Sequence, residues 1–485
     1  LDAFPLADTF LNELILDNGR QDAGHGLSDL SARYLGLALD KQERAGFARV
    51  GTQDGFTPAQ LEYTRRDVLA TWQVFIQQVA RVSADGAARV ARLEALAVPA
   101  VAGMEHAGIL VDAVGWRAAL STAQGEMDEA RSALNQHFRA VVNVDLLGEV
   151  DLNYDAEADV RAALGRLGIH LETVSNEGLR DAGHPAALAL LRYREAHKRV
   201  STYGEGFLQY IHPSTGRIHA SFRQIGASTG RMSCERPNLQ NIPKGSDLRG
   251  CVVAPPGRVL ITADYAACEL RILTHLSQDP VFLRAFEHGE DVHAQVASQV
   301  FGVPVSKQQH PELRERAKAI SFGLIYGMGA AGLAAQTNTS LPDAEALLHQ
   351  YFARFPRIAD TLRHLETRAR DKGYAATVLG RRLYMAPDAW ERPSGGASRL
   401  ARNMPIQGTS ADITKLAMAY LHTRLAGTNA RLINAVHDEL LLEAPQDQAD
   451  QMALTVAREM ERAMAVVVPQ VPPKADVRVG THWSK

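Results

Sequence analysis

A mixed α+β fold is predicted for this 485-residue chain, on three features of the sequence. Short apolar runs of strand character end in aspartates at two distant places. A long alanine-rich stretch with helical spacing comes before them. A series of amphipathic helices fills the interval between the two strand regions. At this length two to four domains are expected, each able to bury its own core.

The first strand region is Val259-Leu260-Ile261, a buried run with Asp264 standing where it ends. Alone, an aspartate there serves a turn or a helix cap equally well. The second region changes the reading. Leu432, Ile433, Ala435 and Val436 lead into His437-Asp438-Glu439, and Leu440, Leu441 and Leu442 lead away, which reads as a tight hairpin presenting Asp438 at its tip. Carboxylates on neighbouring strand ends repel and raise each other's pKa unless cations lie between them. A pair of divalent ions about 3.5–4 Å apart removes that conflict and suits in-line displacement at phosphorus. Hard oxygen ligation from few carboxylates, completed by substrate phosphates, favours magnesium over zinc. The expected chemistry is phosphoryl or nucleotidyl transfer.

Composition excludes little beyond this. The formal net charge of −3 is neutral on nucleic acid, since only a local basic surface is needed. Arg223, Arg231, Arg236 and Arg249, and Arg381, Arg382, Arg392, Arg399 and Arg402, are candidates for one; as charge runs alone they are ordinary solvated faces. Cys234, Cys251 and Cys268 form no Cys-x-x-Cys pair and read as small buried residues in a reducing compartment. No apolar run reaches the length of a membrane span. The chain starts at Leu1, so it reads as a fragment or a processed product.

Taken in order, Thr57-Pro58 is a helix start with a hydroxyl cap and a proline in the first turn. The helix that follows sets Tyr63 and Asp67 one turn apart, with Leu61, Val68, Leu69, Trp72 and Phe75 as its apolar positions. Residues 89–205 are helical and alanine-rich, notably Ala87 to Leu96 and Trp116 to Phe138, and read as paired arms carrying little chemistry. Thr229 to Pro243, which includes Arg231 and Asn241, is rich in turn formers, amides and arginine. Such a loop suits phosphates and minor-groove base edges, or is simply polar. His293 sits on an amphipathic helix, where a lone histidine is commonly structural. Arg314, Lys318, Phe322 and Tyr326 then recur every fourth residue. Each step drifts about 40° on a helix, so the four share one face. Two cations followed by two aromatics suit a ligand with a polyphosphate at one end and a flat base at the other. The cations also lie nearer the helix N-terminus, whose dipole favours phosphate.

From about residue 57 onward the chain resembles the family A DNA polymerases, the bacterial DNA polymerase I type, in a large-fragment-like form. Thr229 to Pro243, Asp264 to Arg271, Arg314 to Gly327 and His437-Asp438-Glu439 carry the resemblance, with Tyr374-x5-Gly380-Arg-Arg-Leu-Tyr384 and Arg399-x3-Asn403-x3-Gln407-Gly-Thr between them in family order. It implies a right hand with an antiparallel-sheet palm and helical fingers and thumb. The thumb would be 89–205, the palm 206–278 and 405–485, and the fingers 279–404. Asp264 and Asp438 would bind two magnesium ions, with manganese as a substitute, the Tyr265 carbonyl assisting and Glu439 nearby. Arg314, Lys318 and His293 would hold the triphosphate, Phe322 the sugar and Tyr326 the nascent base pair. Arg231, Asn241, Arg399, Asn403, Gln407 and His437 would contact primer-template DNA. Glu269 would fill the space beside the sugar C2′, selecting deoxynucleoside triphosphates, whereas single-subunit RNA polymerases place a small residue there.

The segment around Tyr63 and Asp67 resembles the third motif of the 3′–5′ proofreading exonucleases. No Asp-x-Glu precedes it, and Asp155-Ala-Glu157 and Asp343-Ala-Glu345 read as helix starts. Residues 1–88 are therefore expected to be the C-terminal remnant of an RNase H-like exonuclease domain without its metal site. Ala266-Ala267-Cys268 replaces the family's usual Ser-Gln-Ile, and Ser321 its usual Asn. These smaller side chains put base-selection fidelity in doubt. The expected protein is a monomeric, cytoplasmic enzyme of a bacterium or phage-infected cell, not secreted and without a membrane partner. The rival readings are an RNA polymerase, a nuclease built on Tyr63 and Asp67, and a non-catalytic DNA-binding scaffold.

Overall fold

The computed structural model describes residues 7–20, 24–51, 55–145, 150–337, 339–392 and 395–483. Its centre is a four-stranded antiparallel sheet in the spatial order Ala475–Gly480, Arg258–Tyr265, Glu439–Pro445, Arg431–Val436. Alternation along each strand gives the sheet two covered faces. Val259, Ile261, Ala263 and Tyr265, with Leu440, Leu442 and Ala444 beside them, enter the largest apolar core. Leu260 and Leu441 point the other way, into a second core with Ile433, Val436, Trp116 and Trp483. Asp264 and Glu439, two-residue steps from these leucines, belong to this second face. Burial on both sides is why the strands read as unbroken apolar runs.

The helices Thr409–Leu425 and Ala449–Val467 close the first face, the latter through Met452, Val456, Met460 and Met464 at four-residue intervals. The helix Ala88–Ala107 lies along Thr409–Leu425 and the strand Arg431–Val436, adding Leu93, Ala100, Val101 and Met104 to the same core. Beyond it, Ala113–Phe138 and Pro185–Tyr203 run side by side, the pairing expected of these alanine-rich arms. Their own core contains Leu134, Phe138, Tyr154, Val160 and Leu190. Trp116 joins this arm to the body, its indole donating to the Tyr203 carbonyl at 2.8 Å and stacking on Phe207 at 4.6 Å. Between the two halves of the sheet region, helices from Cys268–Ser277 to Pro356–Lys372 pack around Phe282, Ile320, Tyr351 and Phe355.

The described residues before 88 are helical. The helix Pro58–Ala84 starts as the sequence predicts, with the Thr57 hydroxyl accepting from the Gln60 amide at 3.2 Å and the Gln60 side chain accepting from the Thr57 amide at 3.0 Å. Its apolar positions need correction. Leu61, Val68, Leu69 and Trp72 are 45–61% exposed, while the buried stripe is Ala70, Val74, Gln78 and Val82. Apolar residues occupy two sides of this helix, and the side facing the helices Thr9–Asp17 and Leu27–Leu35 is the one built from smaller residues.

A buried ionic knot binds three parts of the chain. Glu94 accepts from Lys415 Nζ at 2.6 Å and also from Arg381, whose Nε reaches Asp412 at 2.9 Å. All four side chains are essentially inaccessible, so each charge has to be matched where it stands. Burial lowers the Lys415 ammonium to about 8, with Glu94 opposing that shift. The thiols of Cys234, Cys251 and Cys268 are free and buried, as expected.

Candidate active site

Strand register brings the two sequence-distant carboxylates to one place. Asp264 pairs across the ladder with Glu439, and Val436 pairs with Glu439 in the next hairpin. That leaves His437 and Asp438 as a two-residue loop. A two-residue hairpin loop that follows the strand twist needs positive φ at its first position, and His437 adopts φ 56°. Ala267, three residues beyond Asp264, is also left-handed at φ 54°. Non-glycine residues in this region are strained and concentrate at functional sites; here one accompanies each aspartate.

Asp438 is half-buried, and burial raises its pKa while Arg231 and Lys244 oppose the rise. Among the described residues no salt bridge reaches it. A half-buried carboxylate held this way suits a cation bound from outside the protein. No set of three or more His, Cys, Asp and Glu side chains forms a cage among the described residues, so ligation would be completed by substrate oxygens, the pattern that suits magnesium. Glu439 is 2% exposed and engaged below, accepting from Trp483 Nε1 at 2.7 Å and Arg249 Nη2 at 3.1 Å. The Tyr265 ring turns into the core, where its hydroxyl donates to the Met460 carbonyl at 2.7 Å.

Glu269, in the first turn of Cys268–Ser277, joins the other elements. Its Oε1 accepts from Arg231 Nη2 at 2.8 Å and from the Tyr326 hydroxyl at 3.1 Å. Burial raises the Glu269 carboxyl and Arg231 opposes it. Tyr326 caps the helix Pro311–Ile325, so that helix's C-terminal end touches the sheet region. Toward its N-terminal end the Arg314 guanidinium pairs with Asp291 at 2.6 Å, and Lys318, 46% exposed at the side chain, leans on Glu315 at 3.4 Å. His293 lies 5.7 Å from the Phe322 ring. Burial, reinforced by Arg314, lowers its pKa to about 4, so it is neutral near pH 7.

The remaining expected residues surround this centre. Arg399 packs against Gly327, where an added Cβ would lie 2.6 Å from the arginine Cγ. Asn403 ends the helix Gly396–Asn403, and Gln407 sits in the π-helical turn Met404–Gly408, an irregularity frequent at functional sites. Asn241 is exposed, and its carbonyl accepts from Tyr203. Tyr63 and Asp67 lie one turn apart on the helix Pro58–Ala84, in the helical segment before 88. Sequence reasoning missed Lys244 and Trp483, and it took Arg249 and Arg381 as candidates for a basic surface, whereas they are 2% and 1% exposed and paired with Glu439 and Asp412. Lys244 directly follows the Asn-Ile-Pro loop, and that adjacency was its signal; Trp483 carries none until the fold is known.

Residues 167–485 match the family model for DNA polymerase family A. The chain belongs to that family. It is 33% identical to DNA polymerase I of Rhizobium leguminosarum over 505 aligned positions, covering 99% of this chain and 48% of that one. With Pseudomonas aeruginosa DNA polymerase I the identity is 34%, covering 99% and 53%, and with the thermostable DNA polymerase I of Thermus aquaticus it is 41%, covering 63% and 37%. The chain thus spans about half or less of the curated relatives it matches. The POL domain of Pol1 from M. smegmatis, solved in complex with DNA primer-template and dNTP, superposes with a TM-score of 0.84 at 32% identity, covering 98% of this chain and 81% of that one. As a family A polymerase fold, the mixed α+β architecture fits the right-hand layout of palm, fingers and thumb. Among the described residues no helix is long and apolar enough to cross a membrane.

Proposed function

We propose that this chain is a template-directed DNA polymerase that extends a primer 3′-hydroxyl with deoxynucleotides and releases pyrophosphate. The observation that carries the reading is the register placing Asp264 opposite Glu439 with Asp438 at the adjoining loop. The family membership and the likeness to a domain solved with primer-template and dNTP support the same substrates. Asp264 and Asp438 would hold divalent magnesium or manganese, with the Tyr265 carbonyl as a further oxygen. When bound, the metal supplies the positive charge that favours attack of the 3′-hydroxyl on the α-phosphate and departure of pyrophosphate.

The chain's own residues do the rest. Lys318 and Arg314 bind the triphosphate once Arg314 gives up Asp291, and neutral His293 adds a hydrogen bond to it. Phe322 packs on the sugar. Tyr326 moves off Glu269 as the helix Pro311–Ile325 closes on a base pair. Glu269, pinned by Arg231, then meets the sugar C2′ edge. Arg399, Asn403, Gln407, His437 and Asn241 contact primer-template DNA.

For the domain division we propose palm from 206–278 and 405–485 and fingers from 279–404, as the sequence suggests. Because Ala88–Ala107 packs on the palm helix Thr409–Leu425, the mobile part of the thumb would start at Ala113–Phe138. Residues 1–88 would be the exonuclease remnant. The test is primer extension with magnesium, supplied in parallel with deoxy- and ribonucleoside triphosphates, on the parent chain and on Asp264→Ala and Asp438→Ala. Extension by the parent with deoxynucleotides, lost in both variants, is expected. Equal extension with ribonucleotides, or none by the parent, overturns the reading.

A further inference from the structure

Glu439 is one peptide bond from Asp438 and directly across the ladder from Asp264, yet its carboxylate is spoken for by a clamp formed near the end of the chain. Trp483 is 1% exposed, and its indole N–H donates to Glu439 Oε1 at 2.7 Å. Arg249 donates to the same oxygen at 3.1 Å and lies with its guanidinium carbon 3.8 Å from the centre of the Trp483 ring. The tryptophan is itself held by its backbone amide, which donates to the Val252 carbonyl at 2.9 Å, and by the bridge between His482 and Val253. Arg249, 2% exposed, has no other side-chain acceptor among the described residues for its Nε and Nη1. Its orientation is therefore set by one carboxylate and one ring.

The hairpin above this clamp has reason to relax. His437 is left-handed without being glycine, a conformation costing about 1–3 kcal/mol that persists only when its surroundings over-determine it. That strain would pull the loop away from its aim. What opposes it from below is the side chain of Glu439, fixed at one oxygen by two donors.

We propose that Trp483 and Arg249 are positioning residues for nucleotidyl transfer: by clamping Glu439 they fix the loop that aims Asp438 at the metal-binding position beside Asp264. The inference rests on the polymerase reading above. Loss of the indole donor loosens Asp438 without removing any group that touches substrate, so turnover and metal affinity fall while primer-template binding does not.

The experiment compares the parent with Trp483→Phe, which keeps a ring under Arg249 and deletes only the N–H donor. A second variant is Arg249→Lys. Three quantities are read: single-nucleotide incorporation, half-saturation by Mn2+ in the absence of DNA, and primer-template affinity. The Trp483→Phe protein is expected to show about fivefold lower kcat, a threefold or larger rise in the Mn2+ half-saturation concentration and DNA affinity within twofold of the parent. In the unsubstituted protein, the indole N–H resonance lost in Trp483→Phe is expected to shift when Mg2+ is added, and not to shift in Asp438→Asn. That resonance carries the test if Trp483→Phe folds poorly. Parental Mn2+ half-saturation and kcat in well-folded Trp483→Phe, or an indole resonance indifferent to Mg2+, overturns the proposal. Failure of the parent itself to extend a primer would instead strike the polymerase reading.

Discussion

The hydroxyl of Tyr326 donates to Glu269 Oε1 across 3.1 Å, and Arg231 Nη2 reaches the same oxygen at 2.8 Å. Tyr326, at the end of the helix Pro311–Ile325, and Arg231 therefore share one carboxylate that lies in the first turn after the Asp264 strand. If Glu269 meets the nucleotide sugar as proposed, Tyr326 is the residue that has to move when a nucleotide binds.

The first prediction concerns sugar selection. Glu269→Ala opens the volume beside C2′, and ribonucleotide incorporation relative to deoxynucleotide is expected to rise by roughly tenfold or more, the scale on which a pocket rejects one added hydroxyl. The ratio of kcat/KM for the two nucleotide types measures it. An unchanged ratio would remove Glu269 from this role.

The loop that carries Arg231 is locked by its neighbour. Gly230 has φ +84°, and a Cβ there would stand 2.5 Å from Arg381 Nε. Arg381 cannot swing aside, because Glu94 and Asp412 hold it in the buried knot. Gly230→Ala should therefore destabilise the protein by about 2–4 kcal/mol in urea unfolding and depress incorporation through displaced Arg231. A variant with the parental unfolding midpoint would show that the loop yields freely.

The knot also sets a pH dependence. Glu94 lies below its ordinary value of 4.5 because Lys415 and Arg381 outweigh its burial. A carboxylate depressed in the folded state stabilises fully above its unfolded pKa and stops doing so as pH falls through the folded one. Unfolding midpoints should thus drop steeply below about pH 4.5. Glu94→Gln should cost roughly 3–5 kcal/mol at pH 7, since it leaves buried cations unmatched, and should flatten that acid limb. Retention of both the midpoint and the limb would contradict the assignment.

Terminator use tests the sugar pocket from its other side. Phe322 presents a bare ring 5.7 Å from His293 and offers no hydroxyl to substitute for a missing 3′-OH. The parent is expected to discriminate against dideoxynucleotides, and Phe322→Tyr to relax that by roughly 10- to 100-fold, the range of one hydrogen bond to a charged group. Equal terminator uptake by the two proteins would refute it.

How much could be read without coordinates depended on whether a residue's placement is local. The strand end at Asp264 and the hairpin loop at Asp438 were legible because each follows an apolar run, and the helix from Arg314 toward Tyr326 because its spacing is fixed within one element. The cap at Thr57 was legible for the same reason. The exposed side of Pro58–Ala84 was not, because apolar spacing reveals a stripe but not which neighbour covers it. Nor were Glu94, Arg381 and Lys415, which meet across 287 and 321 residues. Trp483 is silent in sequence because its partner, Glu439, stands 44 residues away and only the fold brings the two together.

The most direct measurement of the central claim is single-turnover incorporation by Asp264→Asn and Asp438→Asn, with primer-template affinity determined on the same samples. If the two carboxylates form one metal-holding pair, each variant should bind DNA within about threefold of the parent and lose at least roughly 10³-fold in incorporation, about 4 kcal/mol of transition-state stabilisation. Near-parental incorporation by either variant would contradict it.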